Sequence, residues 1–403
     1  MTQPAPPALA GARAPTGGVL AAADAPASGP NGGDQPRGAA IQLEQLTKVY
    51  PGAGAPAVDH LDLEVPRGEL VALVGPSGCG KTTTLKMINR LIEPTEGTVW
   101  LGGTDIRTLP VHELRRGIGY VIQQPGLFPH RTVGDNIATV PHLLGWARDR
   151  VAKRVAELTD LLGLERDMLH RYPAALSGGQ QQRVGVARAL AADPPVLLMD
   201  EPYSAVDPIV RARLQDELLA LQRTMHKTIV LVTHDIDEAI KLADRIAILD
   251  IGGVIEQVDT PAEMLRSPAT NFVADFLGDD RGIKRLSLLT VGEVPLGPGP
   301  VVSESDTTEV ARAQMAEHGT DWVGVRDGDR LLGWVGAESL DGRTSLAGVD
   351  VRPFRAVVGA GTTLKAALDG IVTTHTRVAV AVDDDGLYLG MLTVDDLAEG
   401  LIG

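Results

Sequence analysis

Residues 70–91 read Leu70-Val-Ala-Leu-Val-Gly-Pro-Ser-Gly-Cys-Gly-Lys-Thr-Thr-Thr-Leu-Lys-Met-Ile-Asn-Arg-Leu91. An apolar run of strand length leads into a glycine-rich loop of the form GxxxxGK[ST], and a helix-forming run follows the loop. Glycines let the backbone N–H groups of such a loop turn inward around phosphate, and the N-terminus of the following helix adds positive potential. The stretch therefore predicts a nucleotide-phosphate site, and the alternative is a glycine-rich turn that holds no ligand.

The expected contacts within this loop follow from the chemistry of its side chains. Lys81 can reach the terminal phosphates, and Thr82 can ligate Mg²⁺. The side chain of Cys79 has no necessary role there, so we expect it to be structural and not a nucleophile. The residues expected at the nucleotide are Gly75, Pro76, Ser77, Gly78, Cys79, Gly80, Lys81, Thr82 and Thr83.

The chain around this loop alternates apolar runs of strand length with helical stretches. Such runs lie at residues 71–74, 196–199, 229–232 and 246–249. Alternation of this kind is typical of a mostly parallel α/β sheet. We therefore expect an α/β domain at residues 41–280.

The strand pattern of this domain is interrupted between about residues 129 and 176. Helical spacing on one face relates Val151, Val155, Leu158 and Leu162. This interval therefore predicts a helical insertion within the α/β domain.

Composition narrows the class of protein. The chain has 403 residues, of which 44% are hydrophobic, and this length suggests two or three domains. No apolar run approaches the roughly 20 residues that span a bilayer, the single cysteine has no intramolecular partner, and no secretory signal is recognisable. We therefore expect a protein that is soluble by itself in the reducing cytosol.

Charge and local composition add two expectations. The formal net charge of −15 would repel nucleic acid, so we expect no nucleic-acid partner.

Residues 1–40 contain 12 Ala, 7 Gly and 7 Pro. Few side chains there can offset the entropy of ordering, which predicts a disordered tail.

Two adjacent acids end the apolar strand Val196-Leu-Leu-Met-Asp200-Glu201. An acid at the carboxyl edge of a strand beside a phosphate loop can hold magnesium, and a second one can polarise the attacking water. We therefore assign Asp200 to the metal, with Thr82, and Glu201 to catalysis. Such acid pairs are common at strand ends, so the assignment depends on companion motifs.

One companion is Leu176-Ser177-Gly178-Gly179-Gln180-Gln-Gln-Arg183, which precedes a helical run. Ser177 is a natural N-cap, and the glycines expose the amides of the helix N-terminus to an anion. Combined with the phosphate loop, the segment resembles the signature motif of the ATP-binding cassette (ABC) ATPases. This resemblance covers roughly residues 41–278, and it implies a P-loop NTPase fold, a RecA-like ABC cassette with a helical subdomain at about 129–176.

Further positions carry the same resemblance. Tyr50 stands where the family stacks an aromatic ring on adenine, although a tyrosine that merely ends a strand is the alternative. Gln123 matches the glutamine that senses magnesium and contacts the membrane partner, and the adjacent Gln124 is a second choice. Ser204-Ala-Val-Asp207 matches the loop that crosses the dimer interface, and His234 matches the switch histidine at the γ-phosphate.

The resemblance implies that two copies of the chain sandwich two ATP molecules. The signature residues expected to face the nucleotide of the other copy are Ser177, Gly178, Gly179 and Gln180. The family mechanism implies that Glu201 aligns water while Lys81 and Mg²⁺ neutralise developing charge. It also implies that His234 holds the γ-phosphate and that Gln123 belongs to both the catalytic and the magnesium set.

Several blocks of sequence narrow the resemblance further. They are residues 87–94, 119–130, 171–173, 227–230 and 237–244. These blocks are similar to the ATPase subunits of osmoprotectant importers, which take up glycine betaine, choline, carnitine or proline betaine. The resemblance implies a transmembrane permease partner, an extracytoplasmic solute-binding protein reached through it, and a peripheral position on the cytoplasmic face of the cell membrane.

The C-terminal part contains two weakly similar segments that resemble cystathionine β-synthase (CBS) modules, an α+β tandem pair. Their strand patterns end in Leu332-Gly-Trp-Val335 and Leu389-Gly-Met-Leu392. We expect a diverged module at residues 281–345 and a second one at residues 346–403. Modules of this size are expected to share one core.

The second module also carries a pattern by which CBS modules hold an adenosine ribose. Gly390, Thr393 and Asp396 satisfy this pattern. Thr393 and Asp396 are therefore candidates for regulation by an adenine nucleotide or a cyclic di-nucleotide bound at the CBS pair.

The sequence leaves the function open between different classes. The leading hypothesis is the ATP-hydrolysing, energy-coupling subunit of an importer for quaternary-amine osmoprotectants. The alternatives are a soluble ABC ATPase that acts on a target outside the membrane, and an importer motor for a different small solute. The single cassette favours an importer, because soluble ABC ATPases usually carry two fused cassettes.

Overall fold

The structure is a computed structural model that describes residues 39–124, 126–204 and 206–402. Most of the tail expected to be disordered, residues 1–38, lies outside the described residues. The last part of that expected tail, Ala39 and Ala40, begins the first strand. Strand β1 therefore includes two residues before the expected domain start at residue 41.

Strands and helices alternate along the described chain. The strands are β1 (Ala39–Lys48), β2 (Val58–Pro66), β3 (Leu70–Val74), β4 (Glu96–Leu101), β5 (Thr104–Asp105), β6 (Ile118–Val121), β7 (Val196–Asp200), β8 (Thr228–Val232), β9 (Arg245–Asp250), β10 (Val254–Asp259), β11 (Val301–Ser303), β12 (Trp322–Asp327), β13 (Arg330–Gly336), β14 (Val357–Gly359), β15 (Ala379–Val382) and β16 (Tyr388–Leu392). The helices are α1 (Lys81–Ile88), α2 (Val111–Arg116), α3 (Val133–Ile137), α4 (Thr139–Leu143), α5 (Arg148–Leu161), α6 (Gly178–Leu190), α7 (Pro208–Met225), α8 (Ile236–Leu242), α9 (Pro261–Arg266), α10 (Asn271–Leu277), α11 (Arg281–Leu286), α12 (Thr308–His318), α13 (Leu364–Thr373) and α14 (Val394–Ile402).

A six-stranded sheet in the order β10-β9-β3-β8-β7-β6 forms the centre of the N-terminal part. Its neighbouring strands run parallel, except for the antiparallel pair β9 and β10. Every residue of β3, β7 and β8 is buried, because cores lie on both faces of the sheet. The expected mostly parallel α/β fold is confirmed. Since neighbouring parallel strands end at the same edge, the segments that follow β3, β7 and β8 lie side by side.

A second, antiparallel sheet in the order β2-β1-β4-β5 packs against this centre. Ile41, Leu43 and Val65 of this sheet share a core with Val71 and Leu73 of β3. Buried and exposed residues alternate along much of β2, as expected for a half-buried strand. The sequence analysis did not predict this sheet.

The interval from residue 129 to residue 176 contains helices and no strand in the described chain. The apolar residues on the predicted helical face are all buried, and they are Val151, Val155, Leu158 and Leu162. They pack in one core with Val184 and Leu190 of α6. The expected helical subdomain is present, and its helices pack against α6.

The C-terminal part repeats one small topology twice. In each copy a short strand runs parallel to the middle strand, which pairs antiparallel with the third: β11-β12-β13 and β14-β15-β16. The two copies share a core formed by Trp322, Trp334, Val378, Val380 and Met391. The expectation that two small modules share a core is therefore confirmed.

The segment between the cassette and the first repeat packs against the second repeat. Leu286 and Val291 are buried in the core that contains Leu364 and Leu392. The backbone N–H of Val291 donates to the carbonyl oxygen of Thr362 at 2.9 Å. Residues 281–297 thus belong by packing with the second module, although the sequence analysis had grouped them with the first.

Helix α11 and the turn after it contact the cassette as well. Leu288 packs with the core that includes Met264 and Leu265 of α9. The Nζ atom of Lys284 donates to the carbonyl oxygen of Leu277 at 2.8 Å and lies 3.6 Å from Oδ1 of Asp237 in α8. This short segment is therefore part of two cores.

Candidate active site

The phosphate loop connects β3 to α1 with a backbone that only glycine tolerates. Gly75, Gly78 and Gly80 have φ angles of 151°, 85° and 101°. A Cβ atom on Gly75 would lie 2.1 Å from the carbonyl oxygen of Leu249, and one on Gly80 would lie 2.5 Å from that of Ala57. The loop therefore combines left-handed backbone with close packing, as a loop that turns its amides toward an anion requires.

Lys81 is the first residue of α1, and its side chain is buried beneath the loop. Its Nζ atom donates to the carbonyl oxygens of Gly75 at 2.7 Å and Pro76 at 2.9 Å. The Sγ atom of Cys79 lies 3.5 Å from the same nitrogen, and Cys79 is fully buried in the core below. Ser77 is exposed at the tip of the loop. The expected structural role of the Cys79 side chain agrees with this burial.

Thr82 and Asp200 meet where β7 ends beside the phosphate loop. The Oγ1 atom of Thr82 donates to Oδ1 of Asp200 at 2.8 Å. Burial raises the pKa of Asp200 above its ordinary value, and the hydrogen bond from Thr82 opposes that rise. Burial and the nearby Asp200 carboxylate also raise the pKa of Tyr120. A hydroxyl and a carboxylate in contact are oxygen ligands of the kind that Mg²⁺ prefers, so these residues fit a magnesium ion.

Three residues expected to be catalytic converge at the carboxylate of Glu201, directly after β7. Its Oε2 atom lies 3.3 Å from Nε2 of Gln123 and 3.3 Å from Nδ1 of His234. Gln123 follows β6, and His234 follows β8, on either side of β7 in the sheet. The sheet order therefore brings together three side chains that are distant in sequence.

The backbone of Glu201 is held in an uncommon conformation. Its φ angle is 44°, in the left-handed region that non-glycine residues rarely adopt. The N–H of Glu201 donates to the carbonyl oxygen of Val232 at 2.9 Å, and Oγ of Ser204 donates to the carbonyl oxygen of Glu201 at 3.0 Å. Ser204 Oγ also lies 3.3 Å from Nε2 of Gln123. Sequence reasoning missed these contacts of Ser204, whose position in the loop at 204–207 was the available signal.

Tyr50 lies beside the first turn of α1, next to the phosphate loop. Tyr50 is exposed, and its Oη atom is 3.4 Å from Oγ1 of Thr83. The Nζ atom of Lys48 lies 5.5 Å from the centre of the Tyr50 ring. The exposed ring next to the phosphate loop is available for stacking on a base.

The signature segment caps α6 by local hydrogen bonds. Oγ of Ser177 accepts from the backbone N–H of Gln180 at 3.3 Å, and the Gln180 side chain accepts from the N–H of Ser177 at 2.9 Å. A Cβ atom on Gly178 would meet nothing within 4 Å, whereas one on Gly179 would lie 2.8 Å from Val210 of α7. None of the hydrogen bonds among the described residues joins this segment to the phosphate loop of its own chain.

The regulatory candidates in the second CBS module cap α14. Oδ2 of Asp396 accepts from the backbone N–H of Thr393 at 2.7 Å and from its hydroxyl at 2.8 Å. Oγ1 of Thr393 accepts in return from the N–H of Asp396 at 3.2 Å. A ribose at this position would have to compete with the capping interaction.

Comparisons with known proteins agree with this geometry. The ABC transporter model matches residues 58–204, and the CBS domain model matches residues 350–403. The chain is 45% identical over 368 residues to the osmoprotectant import ATP-binding protein OsmV of Salmonella typhimurium, which covers 90% of this chain and 96% of that protein. This chain belongs to the ABC transporter family.

A second ABC relative is similar over almost the same length. The glycine betaine/carnitine/choline transport ATP-binding protein OpuCA of Bacillus subtilis is 45% identical over 364 residues, 89% of this chain and 95% of that protein. Both matches extend from the cassette through the CBS tail, because each covers about nine-tenths of the chain.

A solved structure matches the ABC cassette. It is the dimeric post-hydrolysis state of the ATP-binding cassette MJ0796 bound to ADP and Pi, with 35% identity, a TM-score of 0.50, and coverage of 55% of this chain and 98% of that chain. The P-loop NTPase fold is therefore confirmed, and the chain is an ABC-type ATPase with a C-terminal CBS domain. In the described part of this ABC protein, no helix has both the length and the apolar character needed to cross a membrane.

Proposed function

We propose that this ABC ATPase is the energy-coupling subunit of an importer for quaternary-amine osmoprotectants such as glycine betaine, choline or carnitine. The observation that carries the proposal is the 45% identity to an osmoprotectant import protein over 90% of this chain and 96% of that protein. A match confined to the cassette would support ATP hydrolysis alone, whereas this match includes the tail.

The convergence of side chains at Glu201 supports a mechanism of positioning and electrostatics. Glu201 orients the attacking water, and Gln123 and His234 hold its Oε2 atom from two sides at 3.3 Å. His234 contacts the γ-phosphate, and Lys81 neutralises the charge that develops on the terminal phosphates. No covalent intermediate is needed.

Magnesium fits the oxygen ligands that meet at the end of β7. Thr82 and Asp200 would hold the ion, because their oxygens are already 2.8 Å apart, and Gln123 would complete the set. Bound Mg²⁺ supplies positive charge against the phosphates. Tyr50 stacks on the adenine in this proposal, because its ring is exposed beside the loop.

A second copy of the chain completes the site. Ser177, Gly178, Gly179 and Gln180 of one copy face the nucleotide bound by the other. The open space around Gly178 supports this arrangement, because it leaves room for an anion at the N-terminus of α6. The dimer of the similar cassette MJ0796 supports it as well.

The proposed assembly includes a transmembrane permease, which supports a peripheral position on the cytoplasmic face of the membrane. An extracytoplasmic solute-binding protein would deliver the solute through that permease. The names of the import relatives, which are ATP-binding proteins of transport systems, support the permease partner. The net charge of −15 argues against nucleic acid as a partner.

We propose a regulatory role for the CBS pair. Residues 281–403 contain 11 Lys and Arg against 18 Asp and Glu, so the tail is acidic and its repulsion from an anionic membrane would be screened as salt rises. Alternatively, Thr393 and Asp396 hold an adenine nucleotide or a cyclic di-nucleotide. Transport in reconstituted vesicles, measured against internal salt and against each nucleotide, distinguishes the two, and a tail that responds to neither is structural.

The solute class is tested by uptake in a strain that lacks this subunit. Labelled glycine betaine, choline, carnitine and proline betaine are offered to cells that carry the wild-type chain or the Glu201→Gln variant. We expect uptake of at least one quaternary amine with the wild type and loss of that uptake with the variant. Uptake of none of them, while the purified chain hydrolyses ATP, would assign the motor to a different solute.

Co-purification tests the alternative of a soluble ABC ATPase. We expect a polytopic membrane protein to be retained by the tagged chain from detergent-solubilised membranes. Recovery of the chain with soluble proteins alone, under conditions in which a known importer remains intact, would favour the soluble alternative.

A further inference from the structure

The residues on both sides of His234 hydrogen-bond to Glu238, Thr233 to its side chain and Asp235 to its backbone N–H. Oγ1 of Thr233 donates to Oε2 of Glu238 at 2.9 Å and accepts from the backbone N–H of Asp235 at 3.1 Å. Oδ1 of Asp235 in turn accepts from the N–H groups of Asp237 at 3.0 Å and Glu238 at 3.2 Å, which caps α8. We refer to Thr233, Asp235 and Glu238 as the switch clamp.

The burial of Glu238 lowers the stability of the fold. It is 5% exposed, and burial raises its pKa to about 7. Its Oε1 atom is buried and has no hydrogen-bond partner among the described residues. A buried carboxyl group that lacks one of its hydrogen bonds lowers stability, so we look for a contribution of Glu238 to activity.

Arg211 connects the switch clamp to the loop at 204–207. Its Nη2 atom donates to the carbonyl oxygen of Val206 at 3.2 Å, and its Nη1 atom lies 3.5 Å from Oδ2 of Asp235. Its Nε atom is buried without a hydrogen-bond partner in the described chain, as is Oε1 of Glu238. The guanidinium group thus links two segments that border Glu201, one through Val206 and one through Asp235.

We propose that Glu238 is a positioning residue for ATP hydrolysis, which fixes His234 against Glu201 through its hydrogen bond to Thr233. Arg211 couples that position to the loop at 204–207. The inference rests on the proposed role of His234. Because the switch clamp acts on His234 and not on the phosphate loop, its loss lowers kcat and leaves the KM for ATP nearly unchanged.

The test uses two matched pairs of variants in the full-length chain. Thr233→Val keeps the shape of the side chain and removes the hydroxyl, whereas Thr233→Ser keeps the hydroxyl. Glu238→Ala removes the acceptor, whereas Glu238→Gln keeps an acceptor oxygen. We expect Thr233→Val and Glu238→Ala to lower kcat about tenfold, with the KM within about twofold, as a small misplacement of a reacting group does.

The conservative members of each pair should recover most of the activity. Glu113→Gln is the control for a carboxylate-to-amide change, since the side chain of Glu113 is 54% exposed and lies on α2. We expect that control to match the wild type. Thermal melting of every variant separates loss of the switch clamp from loss of the fold.

Coupling between the two positions is the deciding measurement. If Thr233 and Glu238 act through one hydrogen bond, the double variant Thr233→Val with Glu238→Ala is no slower than the slower single variant. Additive losses, or wild-type kcat in folded Thr233→Val, would overturn the proposal.

A parallel assay of His234→Ala separates this inference from the mechanism on which it rests. We expect His234→Ala to be the slowest variant. Near wild-type activity in His234→Ala would reject the role of His234 itself. Slow His234→Ala with fast Thr233→Val and Glu238→Ala would reject only the positioning role of Glu238.

Discussion

Glu201 is the residue at which backbone strain and expected chemistry coincide. Its φ of 44° is maintained by hydrogen bonds from its own N–H to Val232 and from Ser204 to its carbonyl oxygen. Left-handed non-glycine residues persist where the surroundings over-determine them, and they concentrate at functional sites. The conformation directs the side chain toward Gln123 and His234.

Glu201→Gln should retain ATP binding and lose most hydrolysis. The amide is similar in size but cannot accept a proton from water, so we expect kcat to fall at least about a hundredfold. ATP-bound dimers should accumulate, as measured by size-exclusion chromatography, while phosphate release is followed in parallel. Lys81→Ala should instead weaken nucleotide binding, because it removes a direct phosphate contact. A Glu201→Gln protein with activity within a few-fold of wild type would contradict the assignment.

The buried carboxyl of Glu238 should make stability depend on pH. Its pKa is raised from 4.5 to about 7 in the folded chain, so the folded state binds the proton more tightly than the unfolded state. Stability from this residue is therefore present at low pH and is lost as pH rises from 4.5 to about 7.

Glu238→Gln removes this dependence. The free energy of unfolding of the variant, relative to that of the wild type, should increase from pH 5 to pH 8 by up to about 3 kcal/mol. Denaturant unfolding at the two pH values measures the difference, and Glu113→Gln is the exposed control. An equal difference between wild type and variant at both pH values would show that Glu238 titrates normally.

Among single residues, the sequence predicted the polar side chains that belong to motifs, but not the side chains whose importance depends on contacts in the fold. Motifs identify Gln123, Glu201 and His234 in the sequence, and the structure brings their side chains together. The hydrogen bond from Thr233 to Glu238 depends on where α8 begins and which side of it faces inward. No spacing rule identifies such a contact, and a glutamate in a polar helix is ordinarily exposed.

Helix α6 begins at the signature segment, and no hydrogen bond in the described part of the chain joins that segment to the phosphate loop of the same chain. In the proposed dimer, the N-terminal amides of this helix serve the nucleotide of the second chain. Ser177→Arg would place a long cation at the cap and block the phosphate site of the partner.

Mixing two inactive variants tests this arrangement. Heterodimers of Lys81→Ala with Ser177→Arg contain one composite site that carries both lesions and one that carries neither. We expect partial recovery of ATPase activity as the mixing ratio approaches equality. If heterodimers form and no ratio restores activity, the signature segment does not serve the other chain.

Strand prediction succeeded where burial was complete on both faces. The continuous apolar runs of β3, β7 and β8 stand out because each residue is enclosed. The antiparallel sheet was missed because its β1 is interrupted by bulges, with Gln45 at a φ of 47°, and because β5 has only 2 residues. Irregular pairing of this kind weakens the alternating pattern that sequence reading requires.

On the scale of the whole molecule, cassette and tail share the segment around α11. Leu288 packs with the cassette, whereas Leu286 packs with the second CBS module. A chain that ends at residue 280 therefore loses part of a cassette core, and one that ends at residue 289 keeps it.

Comparison of these two truncations tests that division. We expect the chain of residues 1–289 to retain the basal ATPase rate and to melt about 2 to 4 °C above the chain of residues 1–280, as a loss of about 1 kcal/mol implies for a domain of this size. Differential scanning calorimetry and phosphate release measure both quantities. Equal melting temperatures would show that Leu288 and Lys284 contribute nothing to the cassette.

Because the segment around α11 packs against both the cassette and the second module, it limits where the CBS tail of a related ATPase could be joined to this cassette. A chimera joined at residue 280 would bring the donor's counterparts of Leu288 and Lys284 against this cassette, and so mismatch the cassette core. A junction after Leu289 keeps Leu288 and Lys284 with this cassette, but it leaves Leu286 and Leu289 to pack against the donor's second module. No single junction in this segment leaves both cores native, so a graft there also requires a donor module that accepts Leu286 and Leu289.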